Sequence, residues 1–165
     1  MTAHDIPRSR YVRPNEGEGE RLDRHWNELL QELRLAQTGT QILFAFLLSI
    51  AFTNRFQDAD RYSHVIFAGT LVASALAMGL FLAPVSFHRI VFQKHLRDRM
   101  IPLAGKMASA GLVLLLAAIS GGVLLALNVV LPRSTALTIV GLVFLWFITF
   151  WYVLPTWIRR TGSGH

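Results

Sequence analysis

The chain has 165 residues, 53% hydrophobic and 16% charged, with no cysteine and a net charge of +6. A soluble domain carries about 25% charged residues, whereas residues 65–87, 107–131 and 136–154 here contain no Asp, Glu, Lys, Arg or His. These figures exclude a soluble globular enzyme, a disordered regulator and a disulfide scaffold, and the missing thiols exclude cysteine nucleophiles, thiolate metal sites and iron–sulfur ligation. They point to a small all-α, multi-pass membrane protein.

Residues 1–20 hold two prolines, two glycines and charges of both signs. They lack the apolar core of a signal peptide and read as a disordered tail. A single membrane domain is expected over 21–160, followed by a short flexible tail at 161–165. From Leu22 the pattern changes. Leu22, Trp26, Leu29, Leu33 and Ala36 fall on one helical stripe, with Asp23, Arg24, Glu28, Gln31 and Glu32 largely on other faces. The stripe predicts a helix that starts near Leu22 and runs on into the first apolar segment, 35–52. About 30 residues of helix measure about 45 Å. Its first third is therefore expected to form a cytoplasmic extension that projects from the membrane or lies on its surface.

The first half of segment 35–52 carries Gln37, Thr38, Thr40 and Gln41. Gln37 and Gln41 share a face. With Glu28 and Glu32 they form the candidate polar face of span 1. It would serve either as the lining of an entrance or as hydrogen-bonding contacts between helices. The carboxylates themselves lie near the interface, since Glu32 precedes Phe44 by about 18 Å of helix axis. Segments 65–87, 107–131 and 136–154 supply three further spans, each near the ~20 residues needed to cross a ~30 Å hydrocarbon layer. No polar–apolar alternation of barrel strands is present, so a four-helix transmembrane bundle is expected.

Between spans 2 and 3, residues 86–100 mix Phe87, Ile90, Val91, Phe92 and Leu96 with Arg89, Lys94, Arg97 and Arg99. This predicts an interfacial amphipathic helix, bracketed by Pro84, which should kink span 2, and Pro102, which should break the chain before span 3. Trp26, Arg89, Lys94, Arg97 and Arg99 are the candidate contacts for a partner or anionic lipid. Rows of small residues (Gly69, Ala73, Ala77; Ala75, Gly79; Ala118, Gly122, Ala126) suit close helix packing or a dimer interface. Gly121-Gly122 follows no strand and reads as packing, and Asn128 as an interfacial polar residue. Span 4 is bulky with Trp146, Phe147, Phe150, Trp151 and Tyr152, and much of it should face lipid.

With four spans, 13 Lys and Arg residues fall on the side of the termini and 3 on the other. The bias places both termini in the cytoplasm of a plasma-membrane protein. His64, His88 and His95 flank span 2, but none lies at membrane depth, and no metal, haem, nucleophile or dinucleotide motif occurs. No cofactor, enzymatic activity or nucleic-acid partner is expected. The expected partners are membrane lipids, a second copy of the chain or a membrane protein.

Two stretches, Leu22–Phe56 and Arg61–Met100, resemble an actinobacterial family of small four-helix membrane proteins of unknown function, some of whose members carry a sodium:proton antiporter label. The resemblance rests on the blocks LQELRLAQTG at 30–39 and APVSFHR at 83–89. It implies the fold and a membrane location and brings no catalytic residues with it. The residues themselves favour a non-enzymatic interaction or accessory protein. The alternative is a small oligomeric ion-coupled transporter entered through Glu28, Glu32, Gln37 and Gln41.

Overall fold

A computed structural model describes residues 17–91 and 97–161, and every regular element among them is helical. Helix α1 (Glu18–Ala51) leads through a single turn, α2 (Asn54–Gln57), to α3 (Arg61–Val91). Helix α4 (Arg97–Val130) follows. The last helical run consists of α5 (Arg133–Ile148), a π-helical turn (Thr149–Val153) and α6 (Leu154–Thr161). Four stretches, 23–51, 61–87, 102–130 and 133–161, are long and apolar enough to cross a membrane. The tail 1–16, Lys94, residues 162–165 and the side chains of Arg89, Arg97 and Arg99 lie outside the described residues.

The hairpin of α3 and α4 forms the largest interface, α1 packs across both, and α5 packs chiefly on α4. The core consists of three clusters along this hairpin. One gathers Leu33, Ala77, Phe81 and Leu115, a second Leu47, Phe67 and Leu125, and a third Leu124, Ala136 and Val140. Only Ala136 and Val140 of α5 are buried, and Leu142, Leu145, Trp146 and Phe150 stay exposed. The bulky face of span 4 is thus open, in line with its composition. Beyond it, the wider π turn shifts the helix register, and Trp151 packs on the Leu33–Phe81 cluster.

Close approach of α3 and α4 depends on two glycines. A Cβ on Gly111 would lie 2.5 Å from the Phe81 ring, and one on Gly121 would collide with Thr70 Oγ1 and stand 3.1 Å from Thr70 Cβ. Gly69 and Gly79, which the small-residue rows singled out, have open space where a Cβ would stand. The rows on α3 and α4 contribute through Ala77 and Ala118, both fully buried.

The hydroxyls in these helices bond back to their own backbone. Thr40 Oγ1 donates to Ala36 O at 2.7 Å, Thr70 to Ile66 O at 2.7 Å, Ser120 to Leu116 O at 2.8 Å and Thr149 to Leu145 O at 2.8 Å. Back-bonding satisfies each donor without water, as a lipid-exposed or tightly packed helix requires.

Two expectations need correction. Pro102 does not break the chain, because α4 begins five residues earlier at Arg97 and runs through it. It stands just past the first turn, where the missing N–H removes few intrahelical bonds. Residues 86–100 form no separate amphipathic helix among the described residues, since 86–91 close α3 and 97–100 open α4. The first third of α1 does not stand apart from the other helices. Trp26, Leu29 and Leu33 turn inward, Leu29 and Leu33 onto the Phe81 cluster, and Trp26 lines a small cleft with Pro84, Phe87, Leu103, Ala104 and Met107. The seam continues through Ala36, Thr40, Leu43, Leu47 and Ile50, all buried or half-buried at spacings of three and four. A seam of that period keeps one face of a helix on its neighbours along its whole length. α3 continues through Pro84, which is fully buried.

Candidate functional site

The polar face of span 1 does not converge. Glu28, Glu32 and Gln41 are exposed, Gln37 is half-buried, and Thr40 alone of that stretch is buried. Glu28 lies 3.5 Å from Arg24, a surface pair one turn apart worth about 0.3–0.5 kcal/mol. Thr38 and Thr40 satisfy their hydroxyls within α1, through Arg34 O and Ala36 O, rather than across helices. No interior path is lined by these groups. Trp26, a candidate partner contact, is half-buried in its cleft against α3 and α4.

A different constellation gathers at the opposite end, where α1 ends, α3 begins, α4 ends and α5 begins. Asp60 precedes the first residue of α3 and accepts the Ser63 backbone N–H at 3.0 Å on Oδ1. This is an N-cap, in which a carboxylate satisfies an orphan donor and favours the positive end of the helix dipole. His64 Nδ1 lies 3.0 Å from Asp60 O. The turn of α2 folds Phe56 back over α3, with ring centroids 4.8 Å from His64 and 4.5 Å from Phe67. The Arg133 guanidinium lies 3.3 Å from the centroid of the Tyr62 ring, a cation–π contact that ties the start of α5 to the start of α3.

Hydrogen bonds from the Ser63 hydroxyl and backbone N–H, with Arg133 nearby, hold the Asp60 carboxyl below its ordinary value of 3.8. A depressed acid stabilises the fold above its ordinary pKa, and the contribution disappears as the pH falls past the folded value. Acidification below 3.8 is therefore expected to lower the thermal midpoint of the detergent-solubilised protein more than that of Asp60→Asn. Asn caps as well as Asp but does not titrate, so equal drops in the two proteins would count against the cap.

Beside this cap lies a cavity of about 620 Å³ between the end of α1, the α2 turn and the end of α4. Its walls are mostly apolar, with Phe46, Ile50, Phe56, Leu125 and Val129, and its polar groups are Thr53, Asp60, Ser63 and Asn128. Asn128 Oδ1 is buried without a hydrogen-bond partner. A second apolar cavity, of about 590 Å³, continues from it along the α1–α4 groove toward Leu35 and Trp151, and the two share Phe46 and Ala126. Sequence reasoning passed over this end. The D-x-x-S spacing of Asp60 and Ser63 and the lone amide Asn128 in an apolar span were its only signals.

The antiparallel helices and their length and composition define a multi-pass membrane protein. The chain belongs to DUF6328, a family of unknown function, whose profile matches residues 15–155. No curated protein and no solved structure matches the chain. The family description names no activity, and nothing in the match bears on an antiporter label or on a source organism.

Proposed function

We propose that the protein is a non-enzymatic accessory protein of the plasma membrane, with both termini cytoplasmic. It would hold its basic end against the anionic headgroups of the inner leaflet and offer the projecting helix ends there to a membrane partner. One observation carries this reading. The helix order brings the start of α1, the end of α3, the start of α4 and the end of α6 to one end of the molecule, and in the sequence 13 of the 16 Lys and Arg residues belong to the N-terminal, span 2–3 and C-terminal segments that adjoin those helix ends. Positive charge retained on one side of a set of spans is the signature of the cytoplasmic face. Each such residue near an anionic surface contributes about 1 kcal/mol of attraction.

The helix lengths support a projecting end. α1 and α4 have 34 residues each, about 51 Å of helix against about 30 Å of hydrocarbon. The first turns of α1 would supply the cytoplasmic extension, held upright by Trp26 and Leu29 against α3 and α4. At the other terminus, α6 ends on the exposed pair Arg159 and Arg160, with Trp157 and Ile158 exposed beside them. Aromatic and basic residues in one terminal turn suit the headgroup layer.

A reporter fused after His165 is expected to behave as cytoplasmic, and one inserted at Pro132 as external. An external C-terminus would overturn the assignment. Retention of anionic lipid through purification in mild detergent should fall on joint Arg159→Gln and Arg160→Gln substitution, with insertion unchanged. The carrier reading is tested by proton flux in proteoliposomes. The exposed, scattered placement of Glu28, Glu32 and Gln41 leads us to expect no flux that Glu32→Gln abolishes.

A further inference from the structure

The cavity beside Asp60 has the chemistry of a lipid site. It combines an apolar wall, a carboxylate at the mouth, and a buried amide oxygen, Asn128 Oδ1, that lacks a donor. Its charged group is a carboxylate, Asp60, and Thr53, Ser63 and Asn128 each bring an oxygen that can accept. Its natural occupant therefore brings N–H donors and a positive charge together with hydrocarbon. A cationic guanidinium, Arg133, stands at the same end on the face of Tyr62, two residues from Asp60. A carboxylate in the cavity and a guanidinium at the same end of the fold match a zwitterion better than a simple cation. A second apolar cavity, sharing Phe46 and Ala126 with the first, extends it along the α1–α4 groove. From Ile50 down to Leu35 this amounts to about 22 Å of helix axis, more than the ~15 Å half-thickness of a bilayer core. One acyl chain can lie in it from the headgroup level to the midplane.

We propose that the groove between α1 and α4 binds a membrane aminophospholipid, with its primary ammonium on Asp60, its phosphate toward Arg133 and one acyl chain along Phe46 and Ala126. This site is at the end of the molecule opposite the basic one and stands whether or not that end binds anionic lipid. Selectivity follows from hydrogen-bond donors. A primary ammonium offers N–H donors to the Asp60 carboxylate, and a choline headgroup offers none.

The test uses the full chain in detergent, with lipid adducts counted by native mass spectrometry against dioleoylphosphatidylethanolamine and dioleoylphosphatidylcholine at equal concentration. The ethanolamine lipid is expected to be retained about tenfold better, the factor that one charge-assisted hydrogen bond carries. Asp60→Asn, which keeps the helix cap, should bring ethanolamine retention down to the choline level and leave choline retention unchanged. Arg133→Gln should weaken both lipids alike, since both carry the phosphate. Ala126→Trp, which fills the groove, should remove both while the oligomeric state stays as in the native chain. Equal retention of the two lipids by the native chain would overturn the proposal. Competition by dodecylamine with no effect of Arg133→Gln would replace the lipid by a simple amphiphilic amine. A change of oligomeric state on Ala126→Trp would make the groove an interface between copies.

Discussion

Gly121→Ala is expected to destabilise the protein by about 1–3 kcal/mol, the cost of forcing an extra methyl into a filled interface. The sign is not obvious, because alanine is a better helix former than glycine by about 1 kcal/mol. Packing decides it. The new Cβ would collide with Thr70 Oγ1 and come within 3.2 Å of Thr70 Cγ2. Thr70 is 4% exposed, and its hydroxyl is bonded to Ile66 O. Rotating Thr70 away would break that bond in a dry interface and bring the methyl toward the same space. The helices must separate instead, and α3 against α4 is the largest contact in the molecule. At Gly79 a Cβ meets nothing within 4 Å, so Gly79→Ala is expected to be neutral or stabilising by up to about 1 kcal/mol. Thermal unfolding in detergent, followed by tryptophan fluorescence, reads both. Thr70→Ala should restore much of what Gly121→Ala loses, and additive losses in the double variant would show that the collision is not the cause.

The difference between those two glycines marks the limit of what the chain reveals before its structure. Hydropathy alone locates four spans, since a run of 23 uncharged residues such as 65–87 has few other homes. The stripe from Trp26 to Ala36 likewise shows which face of α1 is covered. Small residues at four-residue spacing show only that close approach is possible. Gly79 belongs to such a row and faces open space, whereas Gly121 belongs to none and touches Thr70. Which row is used depends on helix rotation and on the partner helix, and neither is encoded locally. Proline is a similar case. Pro102 reads as a break because it removes a backbone donor, yet it lies inside a continuous helix, as Pro84 does. Tertiary packing overrides the local rule in membrane helices, where neighbours supply what the backbone loses.

The candidate site was less legible still. Glu28, Glu32, Gln37 and Gln41 drew attention because polar residues stand out against an apolar run, and the structure scatters them over exposed or partly covered positions. Asp60, Ser63 and Asn128 lie in three different contexts in the sequence: a loop end, a first helical turn and the end of a span. They line one cavity only because α1 stops at Ala51 and the α2 turn folds Phe56 back over the start of α3. A turn of four residues that folds Phe56 onto His64 and Phe67 has no period to detect. Its geometry is set by the aromatic contacts that it makes once α3 is in place.

Phe81→Ala is the second substitution with a large expected effect, and its size tests the environment as well as the packing. Phe81 is 1% exposed, lies in the cluster of Leu33, Ala77 and Leu115, and fills the space that Gly111 leaves on α4. In a water-soluble core, Phe→Ala costs about 3–5 kcal/mol, part of it transfer from water and part of it the cavity left behind. Within a membrane the transfer part shrinks, because lipid tails are as apolar as the core and the unfolded helix gains little by hiding its phenylalanine. The cavity part remains, since the contacts around Phe81 are lost wherever the helix sits. A loss of about 1–3 kcal/mol is therefore expected. Phe46→Ala removes the same ring from an exposed position of α1 and should cost little. A loss at Phe81 as large as a soluble core shows would mean that this part of the hairpin unfolds into water. It would place the Phe81 layer beyond the hydrocarbon, in the projecting end where Trp26 and Pro84 also pack. Adding Gly111→Ala to Phe81→Ala should be tolerated, because the ring that the new methyl would strike is gone, whereas Gly111→Ala alone sets a Cβ 2.5 Å from that ring. Rescue in that order ties the close approach of α3 and α4 to one side chain meeting one missing side chain.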